Sequence, residues 1–174
     1  MTALVTKKLT PTANDRQIAR FAALAIGFAL IDAALPSPIP GVKPGLANIV
    51  TLVVLMRFGI AVATQVTIMR IIASSVLFGG FLSPGFLMSI AGGGSSLFIL
   101  IFVYRLPAVG VIGCSVMAAF AHIMGQLLLA RFWLIPHAGI WFLLPIFLSA
   151  AWVFGLVNGL IAAKILDTTV RQAK

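Results

Sequence analysis

The chain contains no glutamate, and its only acids are Asp15, Asp32 and Asp167. Three isolated aspartates cannot form the carboxylate clusters that hold Mg²⁺ on a diphosphate, so metal-assisted prenyl chain elongation has no foothold. One cysteine, Cys114, excludes an intrachain disulfide and any cysteine-based metal cluster. No Gly-x4-Gly-Lys-Ser/Thr phosphate loop is present, nor is there a Ser/His/Asp set at compatible depths. With His122 lacking a carboxylate or a second histidine in its run, a metal site is not expected either. The residues therefore predict neither an enzyme nor a resident cofactor.

Charge is scarce as well. Only 9% of the 174 residues are charged and 61% are hydrophobic, with a mean hydropathy of +1.17. Soluble domains are about a quarter charged, so this is the composition of an integral membrane protein. At ~20 residues per crossing, the length suits a single all-α domain of about six spans. The net charge of +9 comes from 12 Lys and Arg, placed mostly at the ends of apolar runs. There it sets topology and meets anionic lipid headgroups rather than nucleic acid.

The predicted organisation is a polar, basic cytoplasmic lead-in (1–16), a six-helix membrane domain (17–165) and a cytoplasmic tail (166–174). The spans fall at about 17–35, 46–58, 60–78, 86–104, 109–130 and 140–165. The glycine run Gly92-Gly93-Gly94 predicts either a helix break or a close packing seam in the fourth. With both termini inside, nine cations lie inside, Lys43 and Arg131 lie outside, and Arg70 is within a span. That asymmetry follows the positive-inside rule and predicts a multi-pass protein of a bacterial inner membrane.

An irregular stretch interrupts this pattern between the first two spans. Pro36, Pro38, Pro40 and Pro44, with Gly41, Gly45 and Lys43, cannot continue a regular helix. Irregular backbone at a membrane is tolerated where it packs in protein or lines a wet cavity. The stretch faces outward in the predicted topology and reads as the lid of a small-molecule site. Polar side chains expensive to place in a span converge beneath it. Asn48, Ser89, His122 and Gln126 fall in the outer half and Arg70 near mid-depth, giving a candidate ligand site completed by Lys43. His122 and Gln126, four apart, share a helix face with Ser115, and Ala118 and Ala119 leave room beside them. Asp32 is the candidate counter-ion of Arg70, either as a structural pair or displaced by an anionic ligand. Small residues at Ala25, Ala29 and Ala33 permit close helix approach, within the bundle or to a partner subunit. Gly155 and Gly159 form a similar face, read as internal packing.

The block from Leu35 to Leu52, with its Pro-Gly-Val-Lys-Pro-Gly-Leu-Ala-Asn core, resembles the family of heptaprenyl diphosphate synthase component I, also called Gx transporters. Arg70, Ser89-Ile-Ala-Gly-Gly93, Ala121-His122, Gly125-Gln126 and Leu144-Pro145 extend the likeness over most of the chain. Ile123 and Asp32 depart from it. The family is similar to the substrate-binding S components of energy-coupling-factor transporters. The resemblance implies a six-helix bundle that captures a small ligand from outside: a vitamin, a flavin or an isoprenoid diphosphate. It further implies a transmembrane coupling subunit docked at Ala25, Ala29 and Ala33, with cytoplasmic ATPases beneath. It also admits two other roles: a scaffold for a flavin or quinone redox complex, or a non-catalytic component of polyprenyl diphosphate synthesis.

Overall fold

A computed structural model describes residues 12–35, 45–77 and 79–172. Lys43 and most of the Pro-rich stretch lie outside the described residues. The described elements are all helical: α1 (Ala13–Ala34), α2 (Ala47–Leu77), α3 (Pro84–Val103), α4 (Val111–Leu129) and α5 (Leu144–Gln172). A π turn (Ala130–Leu134) closes α4, and a 3-10 turn (Ala138–Leu143) leads into α5.

Local chemistry sets the boundaries. Thr12 and Asp15 cap α1 reciprocally: the Asp15 N–H donates to Thr12 Oγ1 (3.2 Å) and the Thr12 N–H to Asp15 Oδ2 (2.9 Å). Helix α1 therefore starts at Ala13, a turn earlier than the apolar run suggests. At α3, Ser83 accepts from the Phe86 N–H, and Pro84 occupies the first turn, where a missing donor costs nothing. The glycine run does not break α3, which continues through it with Gly92 and Gly93 buried.

All five helices are long and apolar enough to cross a membrane. Large apolar side chains such as Phe98, Trp152 and Val76 remain more than half exposed, as lipid-facing residues do. Helix α2 is the most buried and contacts α1, α3, α4 and α5. Helix α3 packs on α4, and α4 on α5.

The structure has five such helices where six spans are expected, because the second and third expected spans form the single element α2. That element is not straight. Gly59 sits at φ 81°, ψ −178°, outside helical geometry and at a φ that glycine tolerates best. The hydroxyls of Thr51 and Thr67, 16 residues apart, are 3.4 Å from each other. A continuous helix would separate them by about 24 Å. The chain therefore folds back at Gly59 into two antiparallel arms, 47–58 and 60–77. A Thr51→Cys, Thr67→Cys variant, made with Cys114→Ala, is expected to cross-link within one chain under mild oxidation. A straight α2 would give no intrachain product on a mobility-shift gel.

An apolar cluster anchors the Gly59 end. Ile18, Val54, Leu55, Ala63, Leu100, Cys114 and Ala162 are buried there, with Phe21, Phe58, Ile60, Tyr104, Val111 and Leu166 packed around them. The Phe21 and Phe58 rings lie 5.2 Å apart. This end gives a common baseline for depth along every helix.

Candidate functional site

Counting from that baseline at ~1.5 Å per residue places five polar or small positions on one level, about 15–17 Å away. They are Asp32 from Phe21, Asn48 from Phe58, Arg70 from Ile60, Gly93 from Tyr104 and His122 from Val111. The fold-back at Gly59 is what brings Asn48 level with Arg70, since each lies the same number of residues from the turn. This level is near the middle of α3 and α4 rather than in the outer half.

Two glycines make the centre of this layer. A methyl group on Gly92 would lie 2.7 Å from the His122 ring, and one on Gly93 would lie 2.8 Å from Ile71 and 3.7 Å from Arg70 Nη2. Their bare backbone lets the imidazole from α4 and the guanidinium from α2 reach α3 from opposite sides. The His122 ring packs on the backbone of Gly92 and feels the charge of Arg70. Arg70 in turn is held electrostatically by Asp32, which is only 6% exposed on α1. Arg70 Nε and His122 Nδ1 are buried and make no hydrogen bond. The layer thus carries a cation and an imidazole, each with spare hydrogen-bonding capacity in a setting where unsatisfied polar groups are costly.

Ser89 and Gln126 do not join this layer. The Ser89 hydroxyl donates to the Gly85 carbonyl one turn back (2.9 Å), and Gln126 Nε2 donates to the Met88 carbonyl (3.4 Å), tying α4 to α3. Both sit about one turn beyond Gly92 and His122, away from the Gly59 end. Asn48 is half-buried and faces a different space, a cavity that Ser115, Ala118 and Ala119 also line. The polar face read along α4 therefore splits into two: Ser115 toward the cavity and His122 toward Arg70.

Three further residues of that cavity, Thr51, Ser96 and Asn158, escaped the sequence reading of the site. Asn158 was legible only as a polar residue in the last span. Its Nδ2 donates to the Gly45 carbonyl (3.4 Å), which ties α5 to the start of α2. Hydroxyls in apolar helices usually bond their own backbone and give no sequence signal.

Ala25 requires a correction as a partner-docking residue. It is fully buried in the chain's own apolar cluster, because α1 turns that face toward α2. Ala29 is half-buried and Ala33 exposed. Among the described residues, no group of three or more His, Cys, Asp or Glu could hold a metal ion.

A family model described as heptaprenyl diphosphate synthase component I matches residues 21–165. No curated protein and no solved structure matched the chain.

Proposed function

Because this chain belongs to the heptaprenyl diphosphate synthase component I family, we propose that it is a membrane-embedded capture or transport component for a small anionic ligand, with a role like that of an energy-coupling-factor S component. The supporting observation is the Asp32–Arg70–His122 layer. It offers a buried cation with an unused Nε beside an imidazole with an unused Nδ1, on four helical segments at one depth. An anionic group entering this layer would take hydrogen bonds from Arg70 and compete with Asp32 for its charge. A flavin phosphate, a vitamin carboxylate and an isoprenoid diphosphate share that chemistry.

The two arms of α2 count as separate crossings in this reading, giving six in all and both termini on the cytoplasmic side of a bacterial inner membrane. The 47–58 arm spans only about 18 Å, and Lys43 of the candidate site lies outside the described residues. Asn48 bounds the site below, and Gln126 ties α4 to α3 above it at Met88, the residue before Ser89. The exposed part of α1 around Ala29 and Ala33 docks a coupling subunit. A catalytic role in prenyl transfer is not part of this reading, since Asp15, Asp32 and Asp167 sit far apart in sequence on α1 and α5 and no glutamate supplements them.

Mass spectrometry of small molecules co-purifying with the full chain identifies the ligand. Titration calorimetry with that compound is expected to show at least a tenfold loss of affinity in Asn48→Ala and in His122→Ala. Unchanged affinity in both variants would place the site elsewhere.

A further inference from the structure

A second polar cluster extends from the level of Arg70 and His122 toward the Gly59 end. Here Asn48 and Thr51 of α2, Ser96 of α3, Ser115 of α4 and Asn158 of α5 face a cavity of about 20 Å³, room for about one water. Ser96, Ser115 and Asn158 are all less than 9% exposed.

The hydroxyls differ in how they are used. Thr51 Oγ1 reaches the Ala47 carbonyl and Thr67 Oγ1, and Ser149 and Thr64 each donate to the carbonyl one turn back. Ser96 and Ser115 enter none of the hydrogen bonds among the described residues, and both line the cavity. At this depth a hydroxyl without a partner costs free energy that packing does not return. Among the described residues the cavity lining holds no charged side chain, and the start of α2 turns the positive end of its backbone dipoles toward Asn48. Those features disfavour a cation and supply only neutral donors and acceptors.

We propose that this cavity is a built site for one small neutral hydrogen-bonding ligand, an ordered water that bridges α2, α3 and α4. Ser96, Ser115 and the Asn48 amide give it three partners, the usual number for a buried water. Such a water ties the 47–58 arm of α2 to α3 and α4 through hydrogen bonds where the helices offer only small side chains. The site stands whatever Arg70 and His122 bind.

Two measurements on the full chain test it. In a high-resolution density map, a peak is expected within hydrogen-bonding distance of both Ser115 Oγ and the Asn48 side chain. In thermal unfolding in detergent, Ser96→Ala and Ser115→Ala are each expected to lower the midpoint by roughly 2–4 °C, since each removes a partner from the bridge. If both variants raise the midpoint, the cavity is dry and its hydroxyls are a burden, which overturns the proposal. No shift in either variant overturns it too. So does a stabilisation specific to Na⁺ over choline that disappears in Ser115→Ala, which would make the site a cation site.

Discussion

Replacing Asp32 alone by alanine is expected to destabilise the protein by about 3–5 kcal/mol, the usual cost of stranding one member of a buried ion pair. Asp32 is 6% exposed, and the charge it faces is that of Arg70, carried on a neighbouring helix at the same depth. Removing Asp32 leaves Arg70 as a poorly compensated charge near the middle of the bundle. The double replacement, Asp32→Leu with Arg70→Met, removes both charges while keeping much of the volume. Its cost is expected to be far below the sum of the single changes, because an apolar pair of similar size commonly matches a buried ion pair. Reversible unfolding in mixed micelles gives the cycle directly. Additivity within about 0.5 kcal/mol would show that the two side chains do not act as a pair. Ligand binding supplies a second readout: an anion that neutralises Arg70 should recover part of the stability lost in Asp32→Ala.

The family, the membrane class and most helix boundaries were legible because they rest on composition and on residues with strong local rules. Gly59 marks the fold-back by sitting between two apolar runs beside Arg57, although α2 emerges as one element broken there. The Gly92–Gly94 run left open a break or a seam, and the continuous α3 with its buried Gly92 and Gly93 selects the seam. The charged layer was half legible. Arg70 and His122 stand out in any apolar sequence, yet their meeting at Gly92 and Gly93 depends on how α2 and α4 rotate against α3. Small residues are more ambiguous still. The spacing of Ala25, Ala29 and Ala33 says that something approaches closely but not what, and at Ala25 the neighbour is the chain's own α2. The cavity around Ser96 and Asn158 was illegible for a similar reason: a hydroxyl or amide in a helix looks the same whether its bonds are used locally or offered to a neighbour.

Gly155 and Gly159 are where the spacing did name the partner surface, and their replacement carries the other large expected effect. A methyl group on Gly155 would lie 2.9 Å from the Val116 Cα, and one on Gly159 would lie 2.9 Å from the Ile112 Cα. Backbone atoms cannot rotate aside, so α5 must move off α4 to admit either group. At Gly125 the obstacle is the Ser95 side chain together with the Ala91 carbonyl oxygen, 2.6 Å away on α3. Each Gly→Ala change at these sites is expected to cost about 1–3 kcal/mol, the range for overpacking a filled interior. The Gly155→Ala, Gly159→Ala double variant should lose most. In lipid this matters more than the number suggests, because helices there associate mainly through close packing and interhelical hydrogen bonds. Gly27 and Gly94 supply the control, since nothing lies within 4 Å of a methyl group at either position. There alanine should stabilise by roughly 0.5–1 kcal/mol through its better helix propensity. Opposite signs at the two sets, read from unfolding midpoints in one detergent, are the expected pattern. If Gly155→Ala behaves like Gly94→Ala, α4 and α5 are not in backbone contact, and the depth assigned to Asn158 beside Ser115 falls with it.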